Sequence, residues 1–119
     1  MQRRATKNTR GPNADEKRYV TWIKEEKLTC DACGRYGPLI GHHCEGATFK
    51  HNKVLIGHWF IIGLCQSCDD IVTRGSRRAF RQIFGPQARI CLQALHEYMN
   101  HKGKVVPLEV LDSIRDWDK

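Results

Sequence analysis

The sequence lacks any long apolar run. The longest, Trp59 to Leu64, suits a buried strand and falls far short of the ~18 residues that a membrane-crossing helix requires. Residues Met1 to Pro12 carry Arg3, Arg4, Lys7 and Arg10 where a secretory signal would need an apolar stretch. No membrane partner is therefore expected. Acid is also in deficit: thirteen Asp and Glu stand against twenty Lys and Arg, for a formal net charge of +7. That balance favours a polyanionic partner such as nucleic acid. Apolar residues make up only 40% of the 119, so one folded domain without a deep core is expected, and a metal staple would help it. There is no internal repeat and no long low-complexity tract, which excludes a repeat array.

What the chain does have is cysteine, distributed unevenly. Four of its six cysteines form two CxxC pairs, Cys30/Cys33 and Cys65/Cys68. A CxxC turn lets two thiolates leave one tight knuckle and converge on one ion, and two such turns complete the tetrahedral sulfur site that structural zinc favours. The spacing thus predicts structural Zn²⁺ on Cys30, Cys33, Cys65 and Cys68. The count alone leaves iron–sulfur ligation open, although no electron-transfer context accompanies it. Cysteines committed to metal point to a reducing cytoplasm rather than a disulfide framework. Cys91 falls on the apolar side of a predicted helix and reads as a core residue. Cys44, beside His42-His43, is either drawn towards metal or a buried thiol facing away.

Around these knuckles the pattern predicts helix, small hairpin, then further helices. Residues 1–13 read as a flexible basic arm, and residues 14–119 as a single domain. Asn13 followed by Glu16 has the form of a reciprocal cap for a helix from Ala14 to about Lys27, with Tyr19, Val20 and Ile23 buried. Leu39 to Cys44 reads as a short strand, Ala47 to Lys53 has no periodicity, and Val54 to Leu64 reads as a strand bent at Gly57. A helix is expected after the second knuckle. Gly85-Pro86 breaks the chain before a helix from Gln87 to about Asn100. A last helix follows Pro107, with Leu108, Leu111, Ile114 and Trp117 on one side. Arg74, Arg77 and Arg81 recur at helical spacing, so one helix side, with Arg78 beside it, would present them together to phosphates.

His42, His43, His51 and His58 fall within seventeen positions between the two knuckles, which suggests a second site. Imidazole ligates metal when neutral and titrates near neutrality, so it serves both as ligand and as general base. The set Cys30-x-x-Cys33, His42-His43, His58 and Leu64-Cys65-x-x-Cys68 resembles the zinc-finger branch of the HNH endonucleases, the ββα-metal nucleases. His42-His43-Cys44-Glu45-Gly46, Gly63-Leu64-Cys65 and the stretch from Gly75 through Phe80 to Phe84-Gly85 are similar to the phage recombination-enhancement nucleases, which depend on the host recombinase RecA. The resemblance covers about Cys30 to Gly85.

The resemblance implies an α+β fold, a small ββα-metal core stapled by zinc and flanked by helices. It implies His43 as the general base, His42 as the first ligand of a catalytic divalent cation, and His58 as the residue that orients the base or polarises the phosphate. Asp69 stands where that pattern has a histidine ligand, and its carboxylate suits Mg²⁺ or Mn²⁺. The implied function is metal-dependent hydrolysis of DNA phosphodiesters in phage recombination or DNA processing, inside a bacterial host cell, with Arg74, Arg77, Arg78 and Arg81 on the backbone. The alternative is a catalytically degenerate, zinc-containing module that binds nucleic acid. A His42/Asp69 pair brought together would favour the enzyme; side chains splayed apart would favour the binder.

Overall fold

Asn13 and Glu16 start the first helix by capping each other in the computed structural model, which describes residues 13–45, 49–51 and 53–117. The Glu16 amide donates to Asn13 Oδ1 and the Asn13 amide to Glu16 Oε1, each at 2.8 Å, so two otherwise orphaned donors are satisfied. The basic arm expected before this cap, Asn13 apart, lies outside the described residues, as does Gly46. Helix α1 (Ala14–Trp22) widens into a π turn over Ile23–Lys27 and stops at Leu28, whose φ of 57° is left-handed. Tyr19 and Ile23 are buried as expected, and Val20 is half-buried. Trp22 joins them, packing against Tyr98 with ring centroids 5.2 Å apart.

Strand β1 (Ile40–His43) runs antiparallel to a later strand, but the apolar stretch before that partner is not one bent strand. It divides into β3 (Val54–Leu55), a 3₁₀ turn over Gly57–Trp59 and β4 (Ile61–Leu64). Gly57 takes φ 49°, a left-handed conformation that ends extension rather than bending it. β3 pairs with β2 (Lys50–His51), whose two residues are too few to show periodicity. β1 pairs with β4 in the register Ile40↔Leu64, Gly41↔Gly63, His42↔Ile62, His43↔Ile61.

β4 is buried throughout and forms the centre of the core. Helix α2 (Gln66–Asp70) follows it directly and continues through a π turn over Ile71–Gly75. Ser76 then restarts the helix: its hydroxyl accepts from the Ala79 amide at 3.0 Å and begins α3 (Arg77–Phe84). Gly85 at φ 91° and Pro86 separate α3 from α4 (Gln87–Lys102), which ends on left-handed Gly103. Cys91, fully buried on α4, donates its thiol to the Trp59 carbonyl at 3.3 Å, and the Tyr19 hydroxyl donates to the Ile61 carbonyl at 2.7 Å. Both side chains thus tie a helix to the segment leading into β4.

Helix α5 (Leu108–Trp117) buries Val110, Leu111 and Ile114. Leu108, expected on that face, is exposed, because the buried positions run 110, 111, 113, 114 and leave the first residue outside the stripe. Trp117 stays half open while its ring meets Phe49 and His51. The architecture is α+β, two small antiparallel sheets of two strands each, β1 with β4 and β2 with β3, with helices packed around them. Among the described residues, no helix is long and apolar enough to cross a membrane.

Candidate metal centres

Each CxxC knuckle is held by its own backbone. In the first, the Cys30 amide donates to the Arg35 carbonyl and the Gly34 amide to the Cys30 carbonyl, both at 2.9 Å. Gly34 takes φ 78° to close the turn. The second knuckle is helical: Cys65 precedes α2, Cys68 lies within it, and the Asp69 amide donates to the Cys65 carbonyl at 2.9 Å. The four sulfurs all lie within 4.8 Å of one another, and Cys33 and Cys65 are 3.7 Å apart. Sulfurs around a tetrahedral ion with bonds of about 2.3 Å are about 3.8 Å apart, so the set fits one metal ion. Burial pushes the Cys65 thiol up, but the Cys68 amide and the neighbouring cysteine side chains outweigh it and bring it down to about 7. Burial and the neighbouring cysteines push Cys68 the other way, so of these two thiols Cys65 gives up its proton first; metal binding requires the thiolates.

Buried charge docks the first knuckle on the core. The Asp31 amide donates to the Gly63 carbonyl at 2.8 Å, and Asp31 Oδ2 accepts from the Gly63 amide at 2.7 Å. A Cβ at Gly63 would meet Ile23 Cγ2 at 2.8 Å and Leu39 Cδ1 at 3.0 Å, so only glycine allows this approach. Lys27 Nζ lies 2.8 Å from Asp31 Oδ1, contacts Glu97 of α4 and sits over the Trp22 ring. The Lys27 and Asp31 side chains are only 3% and 6% exposed. Burial alone would lower the Lys27 ammonium, yet the hydrogen bonds it donates to Asp31 and Glu97 outweigh it and raise it above the usual lysine value.

Neither remaining cysteine belongs to the sulfur cluster. Cys44 is buried, its amide donates to the Phe60 carbonyl at 2.9 Å, and burial pushes its thiol well up. Of the two readings open for Cys44, the buried thiol holds. Burial likewise raises Cys91, the expected core residue.

The four histidines divide. His42 Nδ1 lies 3.4 Å from Asp69 Oδ1 of α2, and its Nε2 lies 3.1 Å from Gln87 Oε1 of α4. His43, next along the strand, turns to the other side. Its ring meets His58 edge-on with centroids 5.5 Å apart, and both line a cavity of about 320 Å³ with Lys17, Thr21 and Lys24. Burial first, then the charges of His58, His42 and Lys24, lower His43 from the ordinary histidine value. The shift favours the neutral ring, the state in which an imidazole accepts a proton. His51 is a separate case: the β2–β3 hairpin carries it to α5, where Nε2 lies 2.7 Å from Asp116 Oδ2.

The arginines do not form one helical row. Ser76 is extended (φ −157°, ψ 159°) between Arg74 and Arg77, so helical phase is lost there and the expected common side does not exist. Arg74 lies near Asp70 at 3.7 Å, whereas Arg77 and Arg81 line one groove with Glu45, Gln87 and Trp117. Arg77 pairs with Glu45 at 2.8 Å, and Arg78 is exposed. Gln87 escaped the sequence reading; a polar residue opening a helix straight after Gly-Pro was its one signal. Lys27 and Asp31 escaped too, although their i, i+4 spacing hinted at a pair. No family model, curated protein or solved structure matches this chain.

Proposed function

We propose that the chain is a divalent-metal-dependent DNA endonuclease of the HNH, or ββα-metal, kind. The reading is carried by one observation: β1 and α2 bring His42 Nδ1 and Asp69 Oδ1 to 3.4 Å, while the next residue, His43, packs on His58 on the other side of β1. Adjacent ligands on an octahedral ion with bonds of about 2.1 Å are about 3.0 Å apart, so the pair fits Mg²⁺ or Mn²⁺ with small adjustment. Zn²⁺ on Cys30, Cys33, Cys65 and Cys68 is structural in this reading. It fixes the end of β4 to the knuckle before β1 and so sets where α2 delivers Asp69.

His43 takes the proton of the attacking water, and His58 holds the His43 ring edge-on. The divalent ion, when bound, stabilises negative charge on the phosphate and the leaving 3′ oxygen. Arg77 and Arg81 hold neighbouring phosphates, with Arg74 and Arg78 contributing from outside their groove. Such contacts position the backbone and read no sequence. The resemblance extends the proposal to phage recombination in a bacterial cell, with RecA as partner.

His43→Ala tests the reading through nicking of supercoiled plasmid and degradation of single-stranded DNA in Mg²⁺ or Mn²⁺, with and without RecA. The expected result is a fall of about 10²–10⁴-fold in cleavage, with zinc content and DNA affinity unchanged. Full activity in the variant would remove His43 as base. A second reading, a zinc-stapled module that binds nucleic acid without cutting it, is favoured by the fact that both ring nitrogens of His42 already face protein partners. Wild-type protein that binds DNA yet never cuts it would select that module.

A further inference from the structure

His42 is held between two side chains of opposite demand. Asp69 Oδ1, 3.4 Å from Nδ1, draws a proton onto that nitrogen. Gln87 Oε1, 3.1 Å from Nε2, draws it onto the other. A neutral imidazole carries one ring proton, and the nitrogen that binds a cation must be bare. For His42 to present Nδ1 together with the Asp69 carboxylate, the proton has to reside on Nε2. There it needs an acceptor, and Gln87 Oε1 lies 3.1 Å from that nitrogen.

The position of Gln87 is well secured for this task. It is the first residue of α4, directly after left-handed Gly85 and ring-restricted Pro86. The next turn of the helix buries Ala88 and Cys91 in the core, so the Gln87 backbone cannot drift relative to β1. The amide also suits the task chemically. It accepts from Nε2–H without adding a negative charge that would favour the imidazolium, the form that binds no cation.

We propose that Gln87 is a positioning residue that fixes the Nε2–H tautomer of His42, leaving Nδ1 free to share a hard divalent cation with Asp69; this rests on the metal site of the preceding reading. Without the Gln87 oxygen, Asp69 stabilises the Nδ1–H tautomer, and that proton must leave before a cation can bind. Outer partners of a ligating histidine typically change metal affinity by about 10–100-fold when removed.

The test uses the full-length, zinc-loaded protein and two readouts besides cleavage. The first is Mn²⁺ affinity from the electron-spin-resonance signal of free Mn²⁺. Gln87→Met has similar length and no acceptor, and should weaken Mn²⁺ binding about 10–100-fold. Gln87→Glu keeps an acceptor and should restore it to within a few-fold above neutral pH. Asp69→Ala shows that the ion measured is the one at this site. The second readout needs no variant: ¹⁵N spectra of histidine-labelled wild type with Mg²⁺ should show the His42 proton on Nε2.

Mn²⁺ binding that Asp69→Ala abolishes but Gln87→Met leaves intact would overturn the role of Gln87 and spare the metal site. A His42 proton on Nδ1 in the Mg²⁺-loaded protein would do the same. Wild-type protein that binds no Mn²⁺ beyond its zinc would remove the metal site itself, and the inference with it.

Discussion

The sulfur centre and the histidine centre lie on the same small sheet but are built on different principles. Each half of the sulfur centre is a local turn, closed by backbone hydrogen bonds within six residues, and only one long-range event is needed to join the halves. The histidine centre is assembled from β1, α2 and α4, each contributing one polar group, and none of those groups is near another in sequence. The first centre can therefore support the fold, whereas the second depends on the fold being complete. A metal on the first is a staple; on the second it is a late occupant.

Removing a ligand from each centre separates the two most sharply. Cys33 is the exposed member of the sulfur set, so Cys33→Ala deletes a ligand and little packing. Structural zinc supplies on the order of 10 kcal/mol or more in small domains, which matches or exceeds the whole stability of an ordinary one. The expected outcome is loss of bound zinc and of cooperative thermal unfolding. His42→Ala, by contrast, removes the hydrogen bond to Gln87 from a half-buried side chain and should cost about 1 kcal/mol. Equal destabilisation by the two variants would erase the distinction between staple and occupant.

The next largest effect lies where the sulfur centre joins the core. Lys27→Met keeps length and removes the ammonium, leaving Asp31 buried without its partner beside Gly63. Breaking one side of a buried pair costs about 3–5 kcal/mol, which a denaturant titration resolves. The sign with pH is fixed by the direction of the shift. Lys27 is raised in the folded protein, so its contribution is complete at neutral pH and is lost only as pH rises through that raised value. The stability gap between wild type and Lys27→Met should thus be present at neutral pH, shrink in acid as the raised Asp31 carboxyl protonates in the variant, and narrow at the alkaline end. No gap between wild type and Lys27→Met at any pH would mean that the pair does not hold the knuckle.

This contrast also explains what could be read from sequence. The CxxC pairs, the Asn13–Glu16 cap, the Gly85-Pro86 break and the burial of Cys91 are set by short-range spacing, and the structure has each of them. Among the pairings in the second site, sequence could suggest His42 with Asp69 only through resemblance. It gave no reason for Gln87, because strand register and the path of α4 decide which residue meets His42. The split of the histidines has the same origin: β1 alternation parts His42 from His43, and the β2–β3 hairpin removes His51 to α5. Helical phase misled at Leu108 and at the arginines, where a hydroxyl cap at Ser76 resets the count that Arg74 had begun.

That reset makes the smallest prediction the most discriminating about nucleic acid. Arg77 and Arg81 share a groove beside Gln87, while Arg74 belongs to the preceding turn and faces Asp70. If phosphates run through the groove, Arg77→Ala with Arg81→Ala should remove two backbone contacts. Each contact contributes about 0.9 to the slope of log affinity against log salt on duplex DNA, so the double variant should lower that slope by about 1.8. Affinity should fall alike for unrelated sequences, because phosphate contacts carry no base information. Arg74→Ala, outside the groove, should shift the slope by less than either groove arginine. Filter binding over a range of salt concentrations measures all three. A double variant with the wild-type slope would assign the groove to the Glu45 ion pair alone, and would move the DNA path to another face of the molecule.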